Sequence, residues 1–99
     1  MLESAYEECL CCELELNGIA HARQVLLPIV YKTVRLDCGY RMDIVVGQEL
    51  VLEIKAVEKI LPIHEAQMLT YLRLSGHKVG LLMNFNSGLL KDGLRRFVL

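Results

Sequence analysis

Apolar and polar residues alternate along this chain with two periods, helical and extended, and the switches between them outline six elements. Leu2, Tyr6, Cys9, Leu10 and Leu14 recur near helical spacing and glutamates fill much of the rest, which predicts a helix over 2–17 stopped by Asn17-Gly18. Aliphatic and β-branched residues from Gln24 to Tyr31 predict a strand, with Pro28 pushing it toward a sheet edge or a bulge. Residues 34–46 form a second strand region and 49–56 a third. Pro62 opens a helix that runs to about Leu74 and is closed by Ser75-Gly76. An apolar strand follows over 78–84, then a turn at Asn86-Ser87-Gly88; residues 89–99 read equally well as a short helix or a strand. The order α-β-β-β-α-β, without a repeat or linker, implies an α/β or α+β sandwich of helices on a mixed sheet.

Polar residues inside the second and third strands change the picture. In the third, Leu50, Leu52, Ile54 and Ala56 share one face, leaving Val51, Glu53 and Lys55 on the other. An otherwise aliphatic strand of this kind is usually covered on both sides. Two charges there cost several kcal/mol unless they are paired, hydrated in a cleft or bound to a metal. In the second strand, Tyr40, Met42, Ile44 and Val46 are expected on one face, with Asp43 on the other beside Arg41 and Val45. Carboxylates on adjacent strands can approach within about 5 Å, which suits a hard divalent cation. Their meeting depends on register. A two-residue turn at Gly47-Gln48 would pair Asp43 with Leu52, whereas a three-residue loop (Gly47-Gln48-Glu49) or a bulge brings Asp43 to Glu53. On the helix after Pro62, a stripe of Ile63, Ala66, Thr70 and Leu74 contains Gln67 and Tyr71, and a glutamine on a buried face needs polar partners.

Composition sets bounds. Ninety-nine residues, 54% of them apolar, make one small packed domain, and no apolar run approaches the roughly 20 residues of a membrane span. Without a secretory pattern at the start, the four cysteines are expected to be reduced thiols in a cytoplasmic protein. Cys9, Cys11 and Cys12 are too crowded for a zinc knuckle, and His21, His64 and His77 stand alone as surface or capping residues. The net charge of −1 argues against a broad basic surface. Acidic residues crowd the first 15 positions, so phosphate contacts are expected in the later half, among Arg73, Lys78, Lys91, Arg95 and Arg96.

Five ordered strings together carry a resemblance: Glu3-Ser4-Ala5-Tyr6-Glu7, Tyr40-Arg41-Met42-Asp43, Glu53-Ile54-Lys55-Ala56, His64-Glu65-Ala66-Gln67 through Tyr71-Leu72, and Gly80-Leu81-Leu82-Met83-Asn84-Phe85-Asn86. Over essentially its whole length the chain resembles the GxxExxY proteins of the PD-(D/E)XK nuclease superfamily. The resemblance implies a restriction-endonuclease-like core and Mg2+-dependent (or Mn2+-dependent) hydrolysis of nucleic-acid phosphodiesters, DNA or RNA. It makes Asp43 and Glu53 metal ligands, with Glu3 beside the metal. Lys55 would position or activate the attacking water, and Gln67 would support the site. Tyr71, Arg73 and Lys78 become the expected nucleic-acid contacts. The motif glycine would fall just before Met1, so residues 1–99 are expected to be a single nuclease-like domain lacking an N-terminal helical stretch.

The residues alone fit a structural ion-pair cluster equally well. A second functional class stands beside the nuclease: a non-catalytic nucleic-acid or protein interaction module that keeps the fold. Small size and near-neutral charge favour partnership, as a homodimer or within a larger complex that supplies the substrate surface.

Overall fold

The computed structural model describes residues 2–86, 88 and 90–99, the side chain of Leu90 excepted. Among them, helix α1 (Leu2–Leu16) leads into β1 (His21–Leu26), β2 (Ile29–Tyr31), β3 (Val34–Leu36), β4 (Arg41–Val46) and β5 (Leu50–Lys55). Helix α2 (Pro62–Ser75) then crosses to β6 (Val79–Asn84), and a 3-10 turn (Leu90–Gly93) leads into β7 (Leu94–Val98). The main sheet runs β1-β4-β5-β6-β7, mixed because β5 and β6 are parallel, and β2-β3 forms a separate two-stranded hairpin. This is the expected α/β architecture, a mixed central sheet flanked by helices.

The regions 49–56 and 78–84 form single strands, β5 and β6, but the first two strand regions expected as continuous are broken. Pro28 has no N–H to donate, and the residues expected as one strand over 24–31 divide into β1 and β2 around it. The region 34–46 divides at Asp37–Tyr40, where Gly39 takes a left-handed conformation (φ +78°) and its N–H donates to Asp37 Oδ1. The undecided C-terminal segment is both a helical turn and a strand, β7 pairing antiparallel with β6. The turn expected at Asn86-Ser87-Gly88 lies in part outside the described residues.

The core has two layers because the middle strand is covered on both faces. Ile44, Leu52 and Ile54 pack with Cys11, Leu10 and Leu14 of α1. Val51, Val45 and Leu82 pack with Met68, Tyr71 and Leu72 of α2. The face of α2 differs from the expected stripe: Tyr71 is buried as expected, but Ile63, Ala66 and Leu74 are exposed, and Met68 and Leu72 are buried instead. Gly80 accounts for the choice. A Cβ there would overlap the Met68 thioether, so the glycine opens the gap into which Met68 seats. The single-face grouping of Tyr40, Met42, Ile44 and Val46 fails as well. Tyr40 and Met42 pack toward α2, while Ile44 and Val46 pack toward α1. The change of phase falls at Asp43, opposite an interruption in β1 where Gln24 has φ +50° and the ladder skips a rung.

Candidate active site

The β4–β5 register decides whether two acidic side chains meet. Val46 faces Leu50, Val45 faces Val51 and Ile44 faces Leu52, so the connection is the three-residue loop Gly47-Gln48-Glu49, with Gly47 at φ +60°. The next rung would oppose Asp43 and Glu53, but the backbone ladder stops there. The Asp43 N–H donates to Glu53 Oε2 and the Ile54 N–H donates to Asp43 Oδ2, each at 2.8 Å. The strands part at this end, and each carboxylate takes over a backbone donor that the neighbouring strand no longer satisfies.

Electrostatics mark the same place. Glu53 is 3% exposed, and burial followed by the nearby Asp43 charge pushes its carboxyl up to about 8. Asp43 is likewise raised, by burial first; the Ile54 N–H and the Lys55 charge oppose the rise, and Glu7 and Glu3 add to it. Lys55, at the end of β5, points its Nζ at Gln67 Oε1 of α2 (3.4 Å), and Gln67 Nε2 donates to the Tyr71 hydroxyl (3.0 Å). Tyr71 is itself raised, by burial and then by Glu53 and Asp43. Glu3, at the start of α1, stands at the rim, its Oε2 accepting the Ala56 N–H at 3.3 Å.

Two residues outside the sequence-based set belong to this neighbourhood. Glu7 is buried, one turn after Glu3, with Oε2 accepting Arg23 Nη2 (2.8 Å) and Oε1 accepting Gln24 Nε2 (2.9 Å). Its signal was a charge on the helix stripe that continues into Cys11 and Leu14. Asn84, also buried, lies opposite Lys55 and holds the chain after β5: its Oδ1 accepts the Val57 N–H and its Nδ2 donates to the Val57 carbonyl. Arg73 and Lys78 are not brought to the site. They flank the C-terminal end of α2 and the start of β6, where His77 Nδ1 meets the Gln48 carbonyl (2.7 Å), at the turn end of the β4–β5 pair. His64 accepts the Leu61 N–H and caps α2. All four cysteines are free thiols, Cys11 buried on the sheet-facing side of α1.

The donor set fits a hard divalent cation. Both carboxylates offer oxygen, and the cost of ionising Glu53 beside Asp43 is the kind that a dication offsets. Among the described residues no three His, Cys, Asp or Glu side chains group as a closed cage. Two carboxylates with open positions are the usual provision for Mg2+, which keeps waters and takes substrate phosphate oxygens.

A buried Glu53 and a half-buried Asp43 thus meet where an antiparallel ladder opens, with Lys55 on the same strand. The chain belongs to the PD-(D/E)XK nuclease superfamily, whose family model matches residues 1–97. Among solved structures it is similar to SSO0001 (24% identity, TM-score 0.63), the match covering 97% of this chain and 48% of that one. It is also similar to the alkaline exonuclease LHK-Exo from Laribacter hongkongensis (17% identity, TM-score 0.60), covering 96% of this chain and 55% of that one. The chain thus spans about half the length of these two proteins, and the likeness establishes the fold they share. No curated protein matches it. Among the described residues no helix is long and apolar enough to cross a membrane.

Proposed function

We propose that this chain, as a GxxExxY-type member of the superfamily, hydrolyses nucleic-acid phosphodiesters with Asp43 and Glu53 holding Mg2+ or Mn2+. The observation that carries the reading is the opened rung of the β4–β5 ladder, where two raised carboxylates face one another beside an amine. A cation held there would act as a Lewis acid on the phosphoryl group and acidify the attacking water. Lys55 holds that water and places its ammonium against the charge that accumulates on the phosphoryl oxygens. Gln67 keeps the ammonium pointed, and the Tyr71 hydroxyl keeps the Gln67 amide from turning. Glu3, held at the rim by the Ala56 N–H, would lie beside the cation. A homodimer or a larger complex would supply substrate surface beyond these 99 residues.

The test is cleavage of single- and double-stranded DNA and RNA with Mg2+ and Mn2+, alongside calorimetric titration of either ion. The parent should bind the ion and cut, and Asp43→Asn and Glu53→Gln should do neither while keeping the parent's circular dichroism. A parent that neither binds the ion nor cuts would favour the non-catalytic interaction module.

A further inference from the structure

The β2–β3 hairpin buries little and shows much. Val30 and Tyr31 are each 62% exposed and Val34 53%. The hairpin pairs with no other strand, and a lone two-stranded ribbon is marginal in water. Such a surface persists best when a partner covers it.

Position and charge indicate what that partner is. The hairpin grows from the rung Leu26–Arg41, continued by the Leu27 N–H donating to the Tyr40 carbonyl. Arg41 is two residues from Asp43, so the hairpin stands at the end of the sheet where β4 and β5 part, not at the turn end. Between Ile29 and Arg41 the cations Lys32, Arg35 and Arg41 face the lone Asp37, and the remaining residues carry eight Lys and Arg against eleven Asp and Glu. The hairpin and its root thus carry a net positive charge in a chain whose remaining residues are net negative. Lys32 and Arg35 make no ion pair among the described residues, and Lys32 Nζ hovers 5.7 Å from the Tyr31 ring centre. At the hairpin's root, Tyr40 also lines a slot of about 480 Å³ with Ile63, Ala66, Thr70, Gln67 and Tyr71. Exposed Ile63 and Ala66 and half-buried Gln67 and Thr70 bring α2 to that slot, beside the buried Tyr71.

We infer that the hairpin and this slot form a grip for single-stranded nucleic acid: Lys32 and Arg35 hold phosphates, Tyr31 stacks on one base, and the slot accepts another beside the carboxylates. Apolar surface on both parts favours unpaired bases over a duplex, whose base faces are hidden in its stack. Base-on-aromatic stacking with cations along the backbone is the general chemistry of single-strand recognition. The inference deepens the nuclease reading by naming the substrate form, and rests on it for the direction in which the strand is led.

Binding is measured apart from cleavage, by anisotropy of fluorescein-labelled oligo(dT) and of its duplex with oligo(dA), on the full chain carrying Glu53→Gln. The unpaired strand should bind tighter than the duplex. Lys32→Glu with Arg35→Glu should weaken oligo(dT) binding at least ten-fold and flatten its salt slope by about 2. Tyr31→Ala should weaken it roughly ten-fold, and Tyr31→Trp should restore it. Unchanged affinity in the charge-reversed variant, equal binding of the duplex, or no saturable binding by the parent would each overturn the grip. So would hairpin variants that leave oligo(dT) binding intact but convert a sedimenting dimer to monomer, since the ribbon would then cover a second copy of the chain. If wild-type protein fails to cut and the hairpin variants still lose binding, the grip stands and the nuclease reading falls. If it cuts and the hairpin variants cut and bind like it, the grip alone falls.

Discussion

At its turn end the β4–β5 pair is a regular antiparallel ladder, with Val46 opposite Leu50 and Val45 opposite Val51. Three residues along, at Asp43 and Glu53, the same two strands exchange backbone pairing for side-chain pairing. The turn end satisfies its peptide groups within the ladder and buries aliphatic side chains, so its contribution is stability. The parted end takes Glu53 out of water beside a half-buried Asp43; burial raises both carboxyls and the Asp43 charge raises Glu53 further, at a cost to stability. One hairpin therefore holds a structural half and the half to which we assign function, about 10 Å apart at the usual rise per residue.

The sharpest way to break this contrast is Lys55→Ala. Loss of a positioned cation should cut kcat for phosphodiester cleavage by about 10²–10³, with no fall in melting temperature, measured by initial rates and by thermal denaturation. A large loss of stability with modest loss of rate would assign Lys55 to the structural half.

Protonation provides the second test. Glu53 titrates near 4.5 when unfolded and about 8 in the folded chain, so the folded state holds the extra proton between those values. Without divalent ions, the contribution of Glu53 to stability is fully present below about pH 4.5 and lost as pH rises through about 8. Glu53→Gln keeps an oxygen for the Asp43 N–H and should flatten that slope in urea melts followed against pH. An unchanged slope would place the titrating group elsewhere.

Two smaller effects lie in the structural regions. Gly80→Val should force Met68 out of its seat and cost about 1–3 kcal/mol in urea denaturation, as overpacking does. At the turn, Gly47→Ala asks alanine for a left-handed backbone at φ +60° and should cost about 1 kcal/mol while leaving the cleavage rate unchanged. A rate that fell with Gly47→Ala would mean that the two ends are coupled through the strand pair.

How much of this was legible in the sequence depended on whether the signal was local. Strand period and loop length bore on Asp43 and Glu53, because the side-chain period of two turns a one-residue choice of loop into a choice of face. The middle strand announced its double burial by being aliphatic apart from Glu53 and Lys55. The face of α2 was not legible, because Ile63, Ala66 and Leu74 are as apolar as Met68 and Leu72, and what selects between them is a missing side chain on a strand that follows. Glu7 was hidden among acids that cover α1; its burial and its contact with Gln24 separate it from Glu8, which shares Arg23. Arg73 and Lys78 follow Gln67 and Tyr71 in sequence, but α2 runs back along the sheet and carries them away from the carboxylates. Charge along the chain said nothing of that direction.

Gln24 has a consequence for how this molecule behaves in company. β1 is an outer strand, and its free edge would offer a row of donors and acceptors to any extended peptide. With Gln24 at φ +50°, one peptide unit swings out of that row, and the side chain is tied inward to Glu7. The opposite margin, β7, carries adjacent arginines, Arg95 and Arg96. Neither margin is a flat uncharged template, and both features disfavour edge-to-edge growth of the sheet.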